Sequence, residues 1–230
     1  MSAIRDKVKP RVKTKARVVV VDDHPIVRQG LVQMINHEGD LEVCGEAETI
    51  AEALKAIAAS KPDVAIVDLY LKGASGLELL KDLKVRYPKM PVLVLSMYDE
   101  SIYAERALRA GARGYMMKEE ATERVLVAVR RILAGQLYLS ETMAARLLHL
   151  FVDGRPDHGT SPTDRLSDRE LEVFQLIGNG LGNSQIAAKL HLSTKTIETY
   201  RAHIKEKLNL QDSTELLRAA IQWTQGMGAG

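Results

Sequence analysis

Cysteine is almost absent from this chain. Cys44 is the only one among 230 residues, which excludes an internal disulfide and a Cys-rich zinc site. A lone cysteine fits a small residue on a strand and a reducing, cytoplasmic setting. No stretch approaches the ~20 apolar residues that a membrane span needs. The first fifteen residues are basic but no apolar run follows them, so no secretory signal is expected. A Gly-x-x-x-x-Gly-Lys phosphate loop is missing, as are a Ser/His/Asp pattern and a His-rich metal pattern. Charge of one sign is also lacking: the net charge is only +2, so bulk charge does not announce nucleic acid.

The charge that is present is unevenly placed. Residues 1–17 carry seven Lys/Arg against one Asp, whereas residues 18–134 carry fifteen basic and eighteen acidic residues. The basic tail, residues 1–16, has no apolar periodicity and is expected to be a disordered extension. From Arg17 onward, apolar runs alternate five times with helical patterns. Strands are expected near 17–22, 41–46, 63–68, 91–96 and 113–117, with helices near 25–37, 49–59, 75–87, 99–110 and 120–134. Runs rich in Val and Ile between helices read as buried parallel strands. The fold class is therefore α/β, a doubly wound five-stranded domain over residues 17–135. Residues 136–165 read as a linker carrying a helix near 140–151. Its later part, Asp153 to Asp164, is rich in Gly, Pro, Ser, Thr and Asp and holds no apolar residue. Residues 166–226 read as a purely helical, four-helix domain. Ser167-Asp168-Arg169-Glu170 is a capping box, Gly178 and Gly180 stop that helix, and Asn183 caps the next. Ser193 caps a longer helix over Thr194 to Leu208, and a fourth runs from Ser213 to Trp223. Two helices across a short turn, the second longer, make a helix-turn-helix.

The ends of the apolar runs carry the chemistry. Asp22 and Asp23 close the first run, Asp68 the third, and Ser96 the fourth; Lys118 follows the fifth. Ligands of an open parallel sheet sit beyond the carboxyl ends of its strands, so these five residues should converge. Carboxylates that close repel one another unless a cation holds them. A hard divalent cation suits such oxygens together with phosphate and water. A carboxylate can also attack a phosphoryl group and form an aspartyl phosphate. Ser96 could then hydrogen-bond a phosphoryl oxygen, and Lys118 adds fixed positive charge. Taken singly, each residue has a plainer role: a helix cap, a loop serine, a surface lysine. Taken together in this order, they do not. His24 reads as part of the first helix cap.

Residues 17–134 resemble the receiver domain of a bacterial two-component response regulator, and residues 166–225 resemble a LuxR-type helix-turn-helix. The order of the two is similar to the NarL/FixJ class. So are the runs Val-Asp-Asp-His-Pro-Ile-Val-Arg-Gln-Gly-Leu, Val-Leu-Val-Leu-Ser-Met-Tyr-Asp-Glu and Gly-Tyr-Met-Met-Lys. The resemblance implies that Asp68 is the phosphoacceptor. It implies Mg²⁺ held by Asp22, Asp23, Asp68 and the backbone carbonyl of Tyr70. Ser96 and Lys118 would contact the phosphoryl group, and Tyr115 would be the switch aromatic. Lys72 stands where the class often has proline, which leaves that loop freer and adds a charge beside the site.

Within Thr194 to Leu208, Ile197, Ile204 and Leu208 face inward. Lys195, Thr196, Glu198, Thr199, Arg201 and Lys205 face out, the first four near the N-terminus that enters a major groove. The domain's own charge is weak, eight Lys/Arg against seven Asp/Glu from Arg165 onward. One copy should therefore bind DNA poorly and two should bind well. The last helix has Leu216, Leu217, Ala220 and Ile221 on one stripe, which suits a dimer seam or the domain core. The expected function is a cytoplasmic transcription regulator switched by phosphorylation. Its partners would be a sensor histidine kinase, double-stranded DNA and, when phosphorylated, a second copy. It would be no enzyme beyond Mg²⁺-assisted phosphorylation and dephosphorylation of its own aspartate. The alternative is a phosphorylation-independent DNA-binding or interaction module on the same fold; a small phosphatase ranks third, since no second catalytic base is evident.

Overall fold

The structure is a computed structural model, described for residues 15–72, 74–121, 124–152 and 162–227. Residues 1–14 of the expected basic tail, and residues 153–161 of the expected linker, therefore lie outside the described residues. Five parallel strands form the central sheet: β1 (Ala16–Val21), β2 (Leu41–Ala47), β3 (Val64–Asp68), β6 (Val92–Ser96) and β7 (Gly114–Met117). Their order is β2-β1-β3-β6-β7. Helices α1 (Pro25–His37), α2 (Ile50–Ser60), α3 (Gly76–Arg86), α4 (Glu100–Ala110) and α5 (Arg124–Leu133) connect and cover them. Strand β1 shows why the apolar runs are unbroken. Val18 and Val20 pack with Leu31 and Ile35 of α1 and Val125 and Val129 of α5. Val19 and Val21 pack into the opposite core with Ile57, Leu80 and Tyr103. Both faces are covered, so both need apolar side chains.

Local chemistry sets the element ends. Pro25 opens α1, where its missing N–H costs nothing. Thr49, Ser75 and Asp99 cap α2, α3 and α4 by accepting from backbone N–H groups of the first turn. The chain reverses direction of progression at β1, which lies between β2 and β3. That switch point brings the carboxyl ends of β1 and β3 side by side. A two-residue hairpin, β4 (Tyr70–Leu71) with β5 (Ala74–Ser75), was not expected from the sequence. It returns Gly76 against the backbone of Asp68: a Cβ at Gly76 would sit 2.2 Å from the Asp68 carbonyl oxygen.

Helix α6 (Glu141–Val152) leads toward the C-terminal domain of α7 (Asp168–Gly178), α8 (Asn183–Leu190), α9 (Thr194–Leu208) and α10 (Ser213–Met227). Two expectations are corrected here. Gly182, not Asn183, precedes the first turn of α8, and Gln185 Oε1 accepts its N–H at 2.9 Å. Helix α10 runs past Trp223 to Met227. Gly178 ends α7, yet its hydrogen also allows α10 to approach, because a Cβ there would lie 2.5 Å from the Ala220 carbonyl oxygen. Residues Glu170 to Ile177 of α7 are all buried. One side packs within its own domain, as in the Phe174–Trp223 ring contact at 5.6 Å. The other packs on the first domain.

Candidate functional site

At the switch point, Asp22 and Asp68 are buried and Asp23 nearly so. Ligand atoms of Asp22, Asp23, His24 and Asp68 all lie within 4.8 Å of one another. Lys118, from the end of β7, reaches in: its Nζ is 2.6 Å from Asp68 Oδ2 and 2.7 Å from Asp22 Oδ2. Burial pushes the Asp68 carboxyl up to about 6, with the Asp22 charge adding to it and Lys118 opposing it. Burial also works to lower the Lys118 pKa, but the Asp68 and Asp22 charges outweigh it and the net shift is upward. The exposed His24 imidazole lies against the same group, Nδ1 2.8 Å from Asp23 Oδ1, and caps α1 without a side-chain hydrogen bond.

The carboxylates fit a hard cation on their own geometry. Asp22 Oδ2 and Asp23 Oδ1 are buried with no aligned hydrogen-bond donor, although cationic or imidazole nitrogens stand close. Buried acceptors left in that way are unusual unless an ion or water meets them. An all-oxygen carboxylate set suits Mg²⁺. Tyr70 is placed beside it, with its N–H donating to Asp68 Oδ1 at 3.3 Å.

Ser96 and Tyr115 both hold one residue, Tyr98. The Ser96 hydroxyl accepts the Tyr98 N–H at 3.0 Å, and the Tyr115 hydroxyl donates to the Tyr98 carbonyl at 2.8 Å. The Tyr98 ring sits 4.4 Å from the Tyr70 ring and 5.5 Å from that of Tyr103. Its hydroxyl reaches Glu172 of α7 at 3.5 Å, and the Tyr103 hydroxyl donates to Gln175 at 3.0 Å. Arg106 of α4 adds bonds to the Leu166 and Thr163 carbonyls and an ion pair to Asp168. Glu172 is buried and paired with Arg169 at 2.5 Å. Burial pushes its carboxyl up to about 7, against the pull of Arg169. A cavity of about 460 Å³ thus opens on Asp68 and is walled on its far side by Arg169, Lys189 and His191. This junction escaped the sequence reading. Its one signal there is Glu172 and Gln175 inside the otherwise apolar run Leu171 to Ile177.

Lys72 pairs with Glu48 at 3.2 Å rather than with the acidic cluster. On α9, Lys195, Glu198 and Thr199 are exposed, while Thr196, Arg201 and Lys205 are half-buried. The Thr196 hydroxyl is engaged with Ser193 at 2.8 Å, and burial lowers the Arg201 pKa. Ile197 and Ile204 are buried as expected. In α10, Leu216 and Ala220 are core, Ile221 is half-buried and Leu217 is left exposed.

Residues 18–130 match the response regulator receiver domain, and residues 164–220 match the bacterial regulatory proteins of the luxR family. The chain is 37% identical over 210 residues to the oxygen regulatory protein NreC of Staphylococcus haemolyticus and to that of Staphylococcus carnosus. Each match covers 90% of this chain and 97% of the relative. It is a response regulator of the NarL/FixJ class. The RcsB response regulator of Salmonella typhimurium aligns over 90% of this chain and 98% of its own, with a TM-score of 0.53 at 26% identity. A LuxR-family response regulator from Aurantimonas sp. SI85-9A1 aligns over 60% of this chain and 99% of its own, with a TM-score of 0.56 at 32% identity. The regulator is thus a two-component, phosphorylation-regulated transcription factor with a receiver domain and a LuxR-type DNA-binding domain. Among the described residues no helix is long and apolar enough to cross a membrane.

Proposed function

We propose that this regulator takes a phosphoryl group on Asp68 from a sensor histidine kinase in the cytoplasm, and that the modified chain pairs with a second copy to bind DNA through α9. The observation that carries this is the buried Asp68 carboxylate at the switch point, gripped by Lys118 and flanked by Asp22 and Asp23. An Asp68 carboxylate oxygen attacks phosphorus, the P–O or P–N bond to the donor breaks, and the donor's leaving group departs with that electron pair. Lys118 stays fixed beside the transferring oxygens. Asp22, Asp23 and Asp68, with the Tyr70 carbonyl, would hold Mg²⁺. The ion, when bound, neutralises charge on the phosphoryl oxygens.

The output runs through Tyr98. A phosphoryl oxygen on Asp68 is a stronger acceptor for the Ser96 hydroxyl than any neutral group. Turning Ser96 toward it releases the Tyr98 N–H, and Tyr115 moves with the loop it is tied to. Tyr98 then loses its place against Glu172, and α7 is freed from the receiver domain. Phosphorylation favours that state by contacting it better. DNA-bound forms are described for RcsB, which supports the same use of the C-terminal domain here. The test is phosphorylation by a small acyl phosphate with Mg²⁺, read by intact mass. Wild type should gain one phosphoryl group and Asp68→Asn none. An equal gain in the variant overturns the assignment.

A further inference from the structure

A second cavity, of about 550 Å³, lies between α3, α4, α6, α7 and α10 and shares no lining residue with the one on Asp68. Lys81 and Lys84 approach it from α3, Arg106 and Arg109 from α4, and Arg146 from α6. Two carboxylates answer them. Asp168 pairs with Lys81 at 3.2 Å and Arg106 at 3.1 Å, and Glu105 pairs with Arg109. The surplus of three positive charges exceeds the net charge of the entire chain, which is +2. Lys84 and Arg146 have no carboxylate partner among the described residues; each only donates to a backbone carbonyl, of Arg109 at 2.9 Å and Ser101 at 3.0 Å. Two more lining residues hold donors with nothing to meet them: the Ser101 hydroxyl and the Trp223 indole N–H are buried without a partner. Buried donors left unpaired are costly, and cations gathered at this density repel. Both costs fall when a multiply charged acceptor enters.

We propose that this cleft binds a small molecule carrying a diphosphate group. A single oxyanion would occupy one wall, whereas cations stand here on three helices around a ligand-sized volume. A diphosphate spans that spread and matches the charge surplus. Val85, Ile102 and Leu171 leave an apolar side on which an attached organic group could rest. Because the walls come from both domains, a bound diphosphate would hold α7 and α10 on the receiver.

The full chain carries its own reporter, since Trp223 is its sole tryptophan and lines the cleft. Inorganic pyrophosphate is titrated into metal-free protein in EDTA, which keeps divalent ions off the Asp68 cluster, with Trp223 emission and calorimetry as readouts. Saturable binding below roughly 1 mM is expected, at least about tenfold tighter than orthophosphate. Lys84→Gln and Arg146→Gln should each weaken it about tenfold, the factor that one charge-assisted hydrogen bond carries. Both positions are exposed, so the variants should melt like wild type. ADP binding more tightly than pyrophosphate would point to a nucleotide as the source; ADP binding equally or more weakly would mean the diphosphate alone is recognised. Heat and fluorescence both silent, equal binding of orthophosphate, or unchanged affinity in both variants overturns the proposal.

Discussion

Single residues decide how tightly Asp68, the proposed phosphoacceptor, is held. Gly76 has no room for a side chain, because the β4–β5 return lays it on the Asp68 and Leu69 carbonyls at 2.2 and 2.9 Å from a hypothetical Cβ. Backbone, not a yielding side chain, is what it would strike. Gly76→Ala should therefore cost about 1–3 kcal/mol and shift Asp68, so a denaturant melt should fall and the phosphorylation rate should drop with it. A wild-type melt would mean that the return loop gives way easily. Asp22, Asp23, Asp68, Ser96 and Lys118 were legible without any structure because each ends an apolar run, and a parallel sheet gathers strand ends. Gly76 was not: its importance comes from a hairpin of two-residue strands, too short to leave an alternating pattern. Glu172 is the second informative residue. Its carboxyl is pushed up to about 7 by burial, so the docked form favours the protonated acid. Its contribution is full below the ordinary carboxylate value of 4.5 and is lost as pH rises through about 7. Docking should tighten from pH 8 to pH 6, seen as slower proteolysis of the linker, and Glu172→Gln should flatten that dependence. A wild-type protein equally protected at both values would contradict this.

Among elements, α7 and α9 divide the work of the C-terminal domain. The capping box of α7 was readable as Ser167 with Glu170 three residues on, and both of its bonds are present. The cap of α8 was misassigned because Asn is normally the stronger capping residue. Here Gln185 supplies the bond to the Gly182 N–H, so no capping side chain is needed at that position. The length of α10 was also underread, since Thr224-Gln225-Gly226-Met227 does not continue its apolar stripe, although Thr224 lies over Gly178 of α7. For α9, exposure separates the outward residues. Glu198 and Thr199 lie open one turn in, where base edges would be read under the proposed function. Lys195, also open, suits a phosphate. Lys195→Ala should weaken binding to all sequences alike and lower the salt slope by about one. Glu198→Ala should instead relax preference at one base pair per half-site, by ~1–3 kcal/mol. Site selection with both variants checks this, and a motif rewritten by Lys195→Ala but kept by Glu198→Ala would reverse the roles.

At the scale of the whole molecule, the docking of one domain on the other was not legible in sequence. Polar residues make it: tyrosines 98 and 103, Arg106, Asp168 and Glu172 carry no periodic signature, and each alone reads as an ordinary surface or core residue. In the docked form the proposed base-reading side of α9 still faces solvent at Lys195, Glu198 and Thr199. The receiver clasps α7 and leaves those three α9 side chains uncovered. Under the proposed function, silence in the unmodified protein is therefore a matter of valence, not of a blindfold. On that reading, a lone molecule touches one half-site as well before phosphorylation as after it. What it cannot do is present two heads at the spacing of one helical turn, roughly 10 bp. Affinity for a single half-site should hardly change on phosphorylation, while occupancy of a paired site should rise steeply and, well below saturation, with the square of protein concentration. A phosphorylation-dependent gain on the single half-site would show that the head had been hidden after all.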